Sequence, residues 1–100
     1  MIIIAGNVYV DPSKVDEFVA EARSTMWLGT KNPGCISISF TLDDKEQGSV
    51  LVLERWKDQQ SLDVHLAQKE VIAIFTKWGP VMRNEVKKYD ATNERDPREA

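Results

Sequence analysis

One cysteine and one histidine are all that this 100-residue chain carries of the two side chains most often found in zinc sites. Cys35 alone excludes an internal disulfide, and with His65 it makes no zinc-ligand set. Basic clusters are scarce as well. The lysines and arginines are scattered, the only adjacent pair is Lys87-Lys88, and the net charge is −3, so no nucleic-acid surface is expected. The opening MIIIA is apolar but has no basic leader and is far too short for a secretion signal or a membrane span. A cytoplasmic protein without membrane contact is the expectation. Also missing are a phosphate-binding glycine loop, a paired-cysteine site and a Gly-x-Ser-x-Gly elbow. What is present, 42% hydrophobic residues in 100, suits one domain with one modest core.

The apolar pattern reads as six elements. Ile2 to Val10 is a β-branched strand apolar on both faces, with Ile2, Ile4, Val8 and Val10 on one and Ile3, Ala5 and Tyr9 on the other. Gly6 weakens it and allows a close approach or a bulge. Asp11-Pro12 signals a helix start, and Val15, Phe18, Val19, Ala22 and Met26 follow at helical spacing until about Trp27 to Thr30. Trp27 caps the core or sits at a pocket mouth. After Asn32-Pro33-Gly34, Cys35 to Leu42 alternates, with Ile36, Ile38, Phe40 and Leu42 on one face. A polar loop, Asp43 to Gly48, returns the chain antiparallel into Val50 to Trp56. Asp58 to Gln68 and a second stripe, Val71, Ile74, Phe75 and Trp78, are helical, with a kink or break near Lys69-Glu70. Val81 to Tyr89 makes a last, weaker strand. Residues 1–90 are thus the domain and 91–100 a polar tail.

Strand, helix, strand, strand, helix, strand is the α+β, ferredoxin-like split-βαβ plan: a four-stranded antiparallel sheet with helices on one face. The other face keeps enough aliphatic surface that a second copy should cover it, and a homodimer is expected. RNA-recognition domains share this plan. Here, however, the third strand carries Glu54, which repels phosphate, and Trp56 as its one stacking ring.

Leu53-Glu54-Arg55-Trp56, a short polar turn, then Ser61-Leu62-Asp63-Val64-His65-Leu66 resembles the signature of the antibiotic-biosynthesis monooxygenase (ABM) domain family, with the likeness running from about residue 2 to 89. The resemblance implies a dimeric α/β barrel formed when two ferredoxin-like sheets face each other. It also implies one of several chemistries. Some members oxidise quinols or anthrone-like polyketides with molecular oxygen and no bound cofactor; others cleave haem, isomerise a small phosphorylated signal or cyclise polyketides. In the polyketide enzymes the tryptophan matched by Trp56 lies at the substrate cavity, and an asparagine stands four residues earlier, where this chain has Val52. The haem-degrading branch has a first-strand asparagine, matched by Asn7, but a tryptophan where this chain has His65 and an axial histidine where it has Phe75. That leaves no haem ligand of that type.

Four residues are candidate site residues, each with a structural alternative. Asn7 is a solvated edge amide or a pocket group that orients oxygen. Trp56 is corner packing or the wall that holds a substrate ring. Glu54 pairs at the surface with Lys57, or with Arg55 of a partner, or acts as a catalytic carboxylate. His65 hydrogen-bonds Glu54 or a backbone carbonyl, or serves as general base. The expected function is cofactor-independent oxidation of a small aromatic, quinol or anthrone-type substrate by molecular oxygen, with no metal and no haem. A non-catalytic small-molecule-binding module and an isomerase or cyclase on the same scaffold are the alternatives.

Overall fold

A β-branched strand that is apolar on both faces, β1 (Ile2–Tyr9), lies at the centre of the sheet. In this structure, a computed structural model that describes all of residues 1–100, two further long strands follow on one side of it. β2 (Cys35–Asp44) pairs antiparallel with β3 (Ser49–Trp56), and β3 pairs antiparallel with β1. On the other side of β1 lie two short strands, β4 (Arg83–Asn84) and β5 (Lys87–Asp90), both antiparallel to it. The expected strand over Val81 to Tyr89 is therefore broken in the middle. Gly6 is the cause. At its φ of +145° a Cβ would lie 2.7 Å from the Glu85 carbonyl oxygen and 2.9 Å from the Val86 Cα. The bare glycine admits that backbone, and the Glu85 N–H donates to the Asn7 carbonyl at 3.0 Å.

Side-chain hydrogen bonds punctuate the helices. Asp11 accepts the Ser13 N–H at 2.9 Å, and Pro12 opens a single 3-10 turn leading into α1 (Val15–Arg23). The helix expected to run on to Trp27 stops at Ser24-Thr25. Their hydroxyls donate to the carbonyls of Glu21 at 2.6 Å and Ala22 at 2.7 Å, and such local bonds compete with continuation of a helix. A separate short helix, α2 (Met26–Thr30), follows. Asp58 caps α3 (Gln59–Leu66) by accepting the Ser61 N–H at 2.8 Å. After a break at Ala67-Gln68, α4 (Lys69–Trp78) runs to the Gly79–Val81 turn.

All four helices lie on one face of the sheet, giving the ferredoxin-like α+β fold. The main core joins Val8, Val50 and Val52 of the sheet to Val15, Phe18 and Trp78 of the helices, and a smaller cluster holds Ile2, Trp56 and Leu62. Strict alternation fails in β2. Cys35 pairs with Trp56 but Ser37 with Arg55, so residue 36 is one too many for the register. Cys35 consequently sits with Ile38 against the Trp56 cluster, while Ile36, expected on that inner face, is half exposed. From Ala91 to Ala100 there is neither helix nor strand.

Candidate functional site

Strand parity sends Glu54 and Trp56 from β3 toward the helices, and helical spacing brings His65 from α3 down to meet them. Trp56 is fully buried, His65 is 4% exposed and Glu54 9%. The indole sits between the other two. Its Nε1–H donates to Glu54 Oε1 at 3.0 Å, and its ring lies 4.8 Å from the imidazole centroid at a 41° tilt. Glu54 and His65 share no hydrogen bond, contrary to one expected pairing. Glu54 makes no ion pair with Lys57 either: it is buried on the helix-facing side of the sheet, while its neighbour Arg55 donates to Ser37 Oγ at 3.0 Å. His65 Nδ1 is buried with no partner.

Burial sets both titrations. It raises the Glu54 carboxyl above its ordinary 4.5, partly opposed by the Trp56 hydrogen bond. It lowers His65 below its ordinary 6.5. Each group is thus held toward its neutral form, the imidazole as a proton acceptor and the carboxyl with its proton retained to higher pH.

Both groups face a cavity of about 130 Å³ between the sheet and the helices. Its walls are mostly hydrophobic, and Glu54 and His65 are the only ionisable side chains among them. A pocket of roughly 150 Å³ accommodates benzene, so this one has room for about a single aromatic ring. Phe75 is part of its wall. Val52 lines it too.

Trp56 does not reach the wall; it lies behind Glu54 and His65, and the tryptophan at the cavity is Trp78, edge-to-face with Phe18 at 5.2 Å. Asn7 is elsewhere altogether. It belongs to the uncovered face, and its side chain donates to Ser49 Oγ at 2.9 Å and Asp43 Oδ2 at 3.1 Å. Its parity was plain in the sequence, but not which face the helices would cover. Two polar lining residues escaped sequence reasoning. Thr25 stands at the α1–α2 break, and Asn84 lies opposite Val8 on the weak last strand. Neither position carried a pattern that could have marked it.

The geometry defines a small α+β protein enclosing one apolar, ring-sized cavity with a buried acid and a buried imidazole. The family profile described as antibiotic biosynthesis monooxygenase matches residues 1–77, and the chain belongs to that family. It is 41% identical over 64 residues to the uncharacterized protein sll1783 of Synechocystis sp. (PCC 6803), a stretch covering 64% of this chain and 44% of that one. The match thus spans less than half of that relative. It is 30% identical over 67 residues to the "Putative monooxygenase YcnE" of Bacillus subtilis (strain 168), covering 65% and 68% of the two chains. Among solved structures, a "putative antibiotic biosynthesis monooxygenase" from Deinococcus radiodurans superposes with a TM-score of 0.82 at 16% identity, over 96% of this chain and 97% of that one; at that identity the likeness speaks for the fold.

Proposed function

We propose that the protein is a cofactor-independent monooxygenase acting on a small, single-ring quinol. The observation that carries this reading is the cavity, apolar and ring-sized, with Glu54 and His65 as its only ionisable groups. A deprotonated electron-rich phenol can pass electrons to oxygen directly. The protein then needs to exclude water, orient the ring and take up a proton. His65, held toward its neutral form by burial, is the base; Glu54, whose carboxyl keeps its proton to higher pH because it is buried, donates a hydrogen bond to a ring oxygen in its protonated form. Trp56 is a positioning residue that holds both through its N–H and its face. The balance requires no outside reductant, because the quinol supplies the electrons. Oxygen adds to a ring carbon of the deprotonated quinol; one of its atoms stays on the ring, the other leaves as water, and the ring ends as the hydroxyquinone. Cavity size favours one ring over the three of an anthrone.

Oxygen uptake with a panel of monocyclic quinols, naphthols and anthrones tests the proposal. Monocyclic substrates should be turned over fastest, and His65→Ala should lower kcat by about 10²-fold or more while binding changes little. Turnover of none of them, with tight binding of one, would leave a binding module instead. Product formed without oxygen would mark an isomerase or cyclase.

The functional unit in this reading is a homodimer. Leu51, Leu53 and Tyr89 are exposed on the uncovered sheet face, with Ile3 and Ala5 between them in register. Burying such aliphatic side chains favours association by about 1.5–3 kcal/mol for each one fully covered. Asn7, tied to Asp43 and Ser49 on that face, belongs to this contact and not to the cavity chemistry.

A further inference from the structure

His65 walls two spaces, not one. Behind it is the cavity; in front is an open groove on the surface between α2 and the α3–α4 junction, lined also by Trp27, Lys31, Gln60, Val64 and Gln68. The groove floor is fixed, because the Asn32 side chain donates to the Ser61 carbonyl at 2.9 Å and accepts the Gly34 N–H at 2.9 Å. Its sides are free to bind. Lys31 lies 4.6 Å from the Trp27 ring and has no carboxylate within ion-pair distance. Between the two spaces, the His65 ring is nearly fully buried and its Nδ1 has no partner, an arrangement that costs free energy unless a ligand supplies one.

We propose that the groove is the outer half of the same site, and that the ligand is a two-part molecule. A single aromatic ring occupies the cavity. A short flexible substituent passes His65, lies along Trp27 and ends in a carboxylate at Lys31. Glu70 also lines the groove and would repel an acid, so the carboxylate is placed at the Lys31 end. This assignment rests on the cavity being the ring site, and it narrows the substrate class from any small quinol to one that carries an acid on a short chain.

The three tryptophans allow a direct test, because Trp27 stands in the groove, Trp78 at the cavity and Trp56 behind it. Indole N–H signals would be followed by NMR while the protein is titrated with hydroquinone, with the same ring bearing a carboxypropyl chain, and with the matching carboxamide. Hydroquinone should move Trp78 and Trp56 and leave Trp27 in place. The acid should move all three and bind about tenfold more tightly than the amide, a ratio that Lys31→Met should erase. Equal affinity of acid and amide, or an acid that leaves Trp27 unmoved, would overturn the proposal. So would an acid that moves Trp27 alone, since groove and cavity would then be separate sites. Binding is read without turnover, so an inactive protein that meets these expectations would sink the oxygenase reading and leave the two-part ligand standing. Rapid turnover of the bare ring, with no preference for the acid, would do the reverse.

Discussion

At Trp56 one side chain serves two others, and its removal should be felt through them. Trp56→Phe keeps an aromatic ring against His65 but deletes the only hydrogen bond to the buried Glu54 carboxyl. We expect a loss of about 1–3 kcal/mol in urea unfolding at neutral pH, and a further rise of the Glu54 pKa in an NMR titration. The two shifted groups also bend the pH dependence of stability in opposite directions. Glu54 binds its proton more tightly folded than unfolded, so stability falls as pH rises from 4.5 through its higher folded value. His65 binds its proton less tightly folded, so stability is lost as pH falls from 6.5 through its lower folded value. Glu54→Gln should remove the first slope and His65→Phe the second, as read from unfolding midpoints across pH. The acid limb of kcat/KM should likewise lie below 6.5 if His65 is the base. The nearness of Glu54, Trp56 and His65 was legible from strand parity and helical spacing. Their hydrogen bonding was not, because an indole and an imidazole compete for the same carboxylate and only packing decides between them.

Two of the glycines bear on the elements around the site. Gly6 gives way to the backbone of Glu85-Val86, and Gly34 to Ser61, whose Oγ an added Cβ would overlap. Gly6→Ala combines that clash with a φ of +145°, and we expect it to cost about 1–3 kcal/mol and to speed amide exchange in β4 and β5 more than in β2. Gly34→Ala should displace the start of α3, and with it His65, so its effect on turnover should exceed its effect on stability. The order and type of the elements followed from periodicity and turn residues, since long alternating strands leave few other ways to bury their apolar sides. The extra residue at Ile36, the break at Ser24-Thr25 and the split last strand did not. Each arises from a local contact between segments distant in sequence or from a hydroxyl finding a nearby carbonyl, and neither leaves a mark on the apolar pattern.

On the scale of the whole molecule, the helices satisfy one face of the sheet and leave Leu51, Leu53 and Tyr89 exposed on the other. Sedimentation at micromolar concentration should give a dimer, and Leu53→Asp should give a monomer that stays folded, because the side chain lies outside both core clusters. A wild-type protein that sediments only as a monomer would remove the face-to-face pairing. The same exposed leucines made this expectation possible from the sequence, where β1 and β3 read as apolar on both sides.

The irregular edges of the sheet have a further consequence. β2, on one margin, departs from regular register near both its ends, between Cys35 and Ser37 and between Leu42 and Asp44. The opposite margin is interrupted between β4 and β5. Neither border offers a long, flat row of free N–H and C=O groups for another strand to zip onto. Copies of this chain are thus discouraged from growing side by side into ribbons.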